Sequence, residues 1–206
     1  MNTSRYLYFL LLAWVCGCQP AHEKNPPEEN QPPTTATLPP SSKESKEFQK
    51  MPLLHVVQRT HQFSSKGEPD YFRLTLRGDS VTAGQVEFVI TTRTGQQIYQ
   101  ELFSAADLEA NMVYTLKQNT PPTAAERETY ILNRMNEFVQ DANFLTPAIS
   151  QGATPDTSLV KLSTWRELQA NKGTIGFKYL LGKEDGRLLV YDPKQQKAIR
   201  YGSFGG

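Results

Sequence analysis

Both cysteines of the chain, Cys16 and Cys18, lie at its start, so residues 51–206 carry no thiol. That excludes a cysteine nucleophile, a thiolate zinc site and any disulfide in that stretch. The histidines are His22, His55 and His61. On an unbroken strand His55 and His61 share a face but stand about 20 Å apart, at roughly 3.3 Å per residue. One metal ion cannot bridge them, because zinc–nitrogen bonds are about 2.1 Å long. Carboxylates are plentiful, and Asp/Glu catalysis needs only two that the fold brings together. Asp70 and Glu87 are examples, with nothing in the neighbouring residues to single them out.

Short motifs add exclusions. Ser158-Leu159-Val160-Lys161 has the serine–lysine spacing of penicillin-recognising enzymes, without the Ser-Asp-Asn and Lys-Thr-Gly elements that complete that site. The sequence has no nucleophile elbow, zincin motif, phosphate-cradling glycine loop or acidic calcium loop. Arg77-Gly78-Asp79 spells a tripeptide that integrins read, yet glycine and aspartate are ordinary in a turn leaving a strand. A net charge of +1 lacks the basic footprint of a nucleic-acid binder. No cofactor, metal or nucleic-acid partner is expected.

Arg5, the apolar run from Tyr6 to Val15, and Cys16-Gly17-Cys18 open the chain. As a helix the run would reach about 15 Å, half of a bilayer's hydrocarbon core of roughly 30 Å. A charged start, an apolar middle and a small residue before the cut are the layout of a secretory signal. The segment resembles the lipobox of bacterial lipoprotein precursors, in which the signal is cut just before a cysteine that is then acylated. The resemblance covers residues 1–18. It implies that Cys18 is the lipidated first residue of the mature chain. Cys16 is the poorer choice, because bulky Val15 would precede the cut. Two or more acyl chains anchor stably where one does not, so the resemblance implies attachment to a bacterial envelope membrane. Gln19, where retention at the inner membrane favours aspartate, points to the outer membrane.

Residues 19–50 read as a disordered tether. Pro20, Pro26, Pro27, Pro32, Pro33, Pro39 and Pro40 stand among polar residues, and Leu38 and Phe48 are too few apolar groups to bury. As polyproline II, at about 3.1 Å per residue, such a tether reaches on the order of 100 Å. The expected organisation is a signal peptide at 1–17, the lipidated Cys18 and its tether at 18–50, and one domain at 51–206. That length is enough for a core of its own. Charge within the domain is uneven. Glu101, Asp107, Glu109, Glu126, Glu128, Glu137 and Asp141 make one stretch acidic, and Lys172, Lys178, Lys183, Arg187, Lys194, Lys197 and Arg200 make another basic. These read as faces of opposite sign that partly pair, rather than as a basic face for anionic lipid or polysaccharide.

Strands are expected over 53–61, 71–77, 85–92 and, after a tight turn at Thr94-Gly95, 96–103; period-two alternation marks the middle two, with Phe72, Leu74, Leu76, Val86, Phe88 and Ile90 inward and Tyr71, Arg73, Thr75 and Arg77 outward. Ser104 with Asp107 and Thr123 with Glu126 are capping-box spacings, for a short helix and a longer one. Ile131, Met135, Phe138, Val139 and Ala142 form the apolar stripe of the second. Ser163 or Thr164 is expected to cap a short helix around Trp165. A second meander is expected over 174–181, 187–191 and 197–201, with a turn through Lys183-Glu184-Asp185-Gly186 and a frayed end from Gly202. The fold class is α+β: an antiparallel sheet of two meanders with one main amphipathic helix and short helices packed on it. A sandwich with a helical insertion is the alternative.

Phe177, Tyr179, Tyr191 and Tyr201 crowd the last meander. Exposed together they would form a stacking platform for sugar rings or a partner's strand; buried, they are core. The functional expectation is a membrane-anchored, non-enzymatic module that binds an envelope protein or glycan. A carboxylate-dependent hydrolase of cell-wall or imported polysaccharide and a structural spacer are the alternatives. A cleft with paired carboxylates would favour the hydrolase.

Overall fold

The structure, a computed structural model, describes residues 42–112, 115 and 120–205. The signal segment, Cys18, His22 and the proline-rich residues up to 41 lie outside them. Strands β1 (Leu53–His61), β2 (Asp70–Arg77), β3 (Gln85–Thr91) and β4 (Gln97–Ser104) form an antiparallel meander in chain order. Phe72 lies opposite Ile90, Leu74 opposite Phe88 and Leu76 opposite Val86. The inward sets expected from the alternation are thus cross-strand partners, and all are fully buried. Gly95, at φ 89°, occupies the left-handed region that the β3–β4 turn needs and that other residues avoid.

A second antiparallel sheet follows the order β5 (Phe144–Leu145), β6 (Gly176–Leu181), β7 (Asp185–Asp192) and β8 (Lys197–Phe204). Its two faces bury different things. Phe177, Tyr179, Leu181, Leu189 and Ala198 face the first sheet, and Val190 and Tyr201 face away. Aromatic rings join the sheets: Phe72 to Phe177 with centroids 5.2 Å apart, and Phe88 to Tyr179 at 5.6 Å. Helix α2 (Ala124–Glu137) adds Ile131 and Met135 to this core, and Phe138 behind it sits 5.0 Å from Tyr179. On the far face of the second sheet, helix α3 (Leu162–Ala170) sets Trp165 against Tyr201 at 5.9 Å. The architecture is therefore α+β, built on two open four-stranded antiparallel sheets.

Both capping boxes form: the Ser104 amide donates to Asp107 at 3.0 Å, and the Thr123 amide to Glu126 at 2.8 Å. Elsewhere the structure corrects the sequence reading. The tether does not run to residue 50, because Ser42–Lys50 is a helix, α1. Phe48 is fully buried, and the Arg77 guanidinium lies 5.8 Å from its ring centroid. One aromatic side chain with a slot to fill, at about 1.5–3 kcal/mol, orders an otherwise polar segment. The turn into β7 runs through Gly182, at φ 67°, whereas Asp185 and Gly186 are strand residues. Gly186 is required for another reason: a Cβ there would run into the Phe204 carbonyl oxygen and lie 2.6 Å from its ring.

Helix α2 stops at Glu137, which leaves Phe138 and Val139 buried and Ala142 exposed. Helix α3 begins at Leu162 behind Lys161, with no side-chain cap, so Ser163 and Thr164 lie inside it. Residues 202–204 are paired rather than frayed, with Gly202 opposite Leu188 and Ser203 opposite Arg187.

Candidate functional site

The aromatic residues of the last meander do not form a surface platform. Phe177, Tyr179 and Tyr201 are buried, the first two toward the first sheet and Tyr201 toward α3. They cannot share a face, because β8 pairs with β7 in a register that turns Tyr201 away from the main core. Tyr191 is half-buried and alone of the four lines a surface cleft.

The uneven charge resolves into a buried cluster between the sheets. Glu101 of β4 pairs with Arg187 of β7, and the Tyr179 hydroxyl donates to Glu101 Oε2 at 2.5 Å. Tyr99 bonds the same oxygen at 3.1 Å and lies 2.8 Å from the Tyr179 hydroxyl. Arg187 also donates to Asp185 at 2.6 Å, and Arg200 bonds Ser203 at 2.8 Å. Burial holds the Tyr179 phenol well above its usual pKa and raises that of Tyr99, while it lowers that of Arg187. Burial also raises Asp185, against the opposing pull of Arg200. With Glu101 only 1% exposed, no ligand reaches this carboxylate. The cluster joins sheets rather than addressing a substrate.

A cleft of about 330 Å³ lies among residues 63–66, α3 and the end of β7, and holds Lys66, Glu167, Asn171, Tyr191, Asp192 and Lys194. Two carboxylates line it, and both are engaged. Glu167 pairs with Lys194 at 2.6 Å. Asp192 accepts from the Lys194 amide at 2.9 Å and the Gln195 side chain at 2.7 Å. Asp70 and Glu87 do not come together either. Asp70 lies on the Phe72 side of the sheet and accepts from the Ser64 amide at 2.6 Å. Glu87 lies opposite Thr75 on the other side and accepts from Gln100 at 2.6 Å.

The remaining motifs are absorbed by the fold. Ser158 donates to Asp156 at 2.6 Å, and Lys161 is the N-cap of α3. Arg77 is turned from the tripeptide toward the Met51 carbonyl at 2.8 Å. Gly78, at φ 148°, lies where a Cβ would come 2.8 Å from Gly84 Cα. His61 stacks on Phe144 at 3.4 Å, and His55 lies at the opposite end of β1.

What the first sheet leaves open is a groove of about 550 Å³ on its outer face. Tyr71, Arg73, Thr75 and Arg77 of β2 line it, and Glu87 and Val89 of β3 lie beside them. Gln49 of α1 contributes one side, and the β3–β4 turn supplies Thr92, Arg93 and Gly95. The alternation of β2 marks these residues as outward. It gives no sign that α1 covers only one end of that face, so the groove is invisible before the fold is known.

Comparison with protein families, with curated proteins and with solved structures yields no match. Among the described residues no cluster of three or more His, Cys, Asp and Glu side chains could hold a metal ion, and no helix is long and apolar enough to cross a membrane.

Proposed function

We propose that this chain is a lipid-anchored bacterial envelope protein whose folded part binds an envelope glycan or protein without catalysing a reaction. The groove across the first sheet carries the reading. It presents guanidinium, amide and phenol groups on a rigid sheet, and its single lining carboxylate, Glu87, is already held by Gln100. That is the equipment of recognition, few polar groups fixed in place, rather than of acid–base chemistry. Edge strand β1 also shows exposed Leu53, Leu54 and Val56, which suits a protein partner. The anchor rests on the lipobox-like residues through Cys18, and the proline-rich residues behind it hold the domain off an outer-membrane surface.

Two experiments test the proposal. Crosslinking in intact cells, followed by capture and mass spectrometry, is expected to return the same glycan or protein repeatedly; an empty or irreproducible capture overturns the binding role. Cys18→Ser is expected to move the protein from the membrane to the soluble fraction and to abolish fatty-acyl labelling.

A further inference from the structure

Resting on that binding role, we propose that the groove across the first sheet takes an acidic glycan, a sugar chain bearing repeated carboxylate or phosphate groups. Its lining sets three guanidinium groups, Arg73, Arg77 and Arg93, against one carboxylate, Glu87. Glu87 stands opposite Thr75, diagonal to both Arg73 and Arg77, and shares its charge with a Gln100 hydrogen bond. Arg93 meets Glu68 at 3.0 Å in an exposed pair at the rim, which solvent weakens. Arg77 spends one nitrogen on a neutral carbonyl, Met51 at 2.8 Å, and its buried Nε has no acceptor among the described residues. Positive charge therefore exceeds what the groove itself neutralises.

The spacing fits a polymer. Arg73 and Arg77 are on one face of one strand, with backbones about 13 Å apart, a spacing that suits successive anionic groups of one chain. Gln49, Gln58 and Gln97 add planar amides around them. Guanidinium groups match carboxylate and phosphate oxygens with two donors at once, and each amide offers a donor and an acceptor to hydroxyls. Tyr71 adds a ring with an apolar face and a polar tip, which is also the character of a pyranose.

The test measures binding of the full lipidated chain, in detergent micelles, to polygalacturonate, phosphorylated dextran and neutral dextran. An acidic polymer is expected to bind at least about tenfold more tightly than the neutral one. That preference is expected to shrink at high salt, where the screening length falls from about 10 Å at 0.1 M to about 3 Å at 1 M. The stronger of the two acidic polymers identifies carboxylate or phosphate as the recognised group. Arg73→Gln is expected to weaken acidic binding by about tenfold or more with an unchanged melting temperature. Arg166→Gln, on α3, leaves it within about twofold. Equal binding of the neutral polymer overturns the acidic-glycan proposal but leaves the binding role standing; that role falls only with an empty capture from cells. Binding of no polymer overturns the proposal, as does a protein crosslinked from position 58 in cells. It also fails if Glu28→Gln with Glu29→Gln shifts the resonances of Arg73 and Tyr71, since the occupant is then the chain's own proline-rich segment.

Discussion

Glu101 of β4 and Arg187 of β7 form an ion pair between the two sheets, with side chains 1% and 9% exposed. The acid comes from the acidic stretch of the sequence and the base from the basic one, so the charge asymmetry is partly spent inside the protein. Burying two charges is expensive, and their attraction repays it only when every remaining lone pair is satisfied. Tyr179 and Tyr99 supply that satisfaction at 2.5 and 3.1 Å.

Removing one partner alone should therefore be severe. Arg187→Ala strands the Glu101 charge and is expected to cost about 3–5 kcal/mol. The double change Glu101→Leu with Arg187→Met is expected to cost less than either single change, because no lone charge is left behind. Urea unfolding midpoints of the three variants check this. A double variant as unstable as the sum of the singles would rule the explanation out.

Alkaline pH should loosen the fold through its phenols. Tyr201 donates to the Ala148 carbonyl at 2.5 Å, and burial pushes its pKa from 10.0 up to about 12. Tyr179 and Tyr99 are raised too, with burial the first cause in each. A phenol whose folded pKa exceeds its unfolded one stabilises the fold fully below pH 10, and that contribution disappears as pH climbs through the folded value. Stability is expected to hold up to about pH 10 and to fall beyond it. Tyr201→Phe should fall less steeply. Phenolate absorbance followed alongside circular dichroism gives the check: part of the tyrosine signal should appear only as the fold is lost.

Helix α1 makes a prediction about where the domain begins. Phe48→Ala is expected to cost about 3–5 kcal/mol, because its ring is fully buried beneath the Arg77 guanidinium. A chain begun at Met51 should be destabilised similarly, whereas one begun at Ser42 should melt like the parent. Equal melting temperatures for all three would return the segment to the tether.

Gly186 tests the pairing of the chain end. Gly186→Ala places a methyl group against Phe204, 2.6 Å from its ring carbon, and is expected to cost about 1–3 kcal/mol as an overpacked contact. Phe204→Ala in the same chain should recover only part of that loss, because the Phe204 carbonyl oxygen still faces the new methyl group. Gly152→Ala, where a Cβ meets nothing within 4 Å, serves as the control.

Local rules carried the sequence reading a long way. Alternation placed β2 and β3 and their inward residues, because side-chain period in a strand depends only on neighbouring dihedrals. Thr123 and Glu126 announced the start of α2 because a capping box is closed within four residues. The same locality misplaced the turn at Gly186 and the start of the domain. A glycine looks alike whether it serves a positive φ or a close approach, and one buried Phe48 cannot be told from an exposed one without its partner strand.

Composition and order along the chain determined the absence of thiols from residues 51–206, the α+β class and the faces of β2 and β3. Tertiary structure decided which aromatics face water, where the opposite charges meet, and that the outer face of the first sheet stays open as a groove. Those facts depend on how one sheet lies against another. Pairs such as Phe72 with Phe177, or Glu101 with Arg187, are joined by packing across long stretches of chain, and no local spacing encodes which of them will meet.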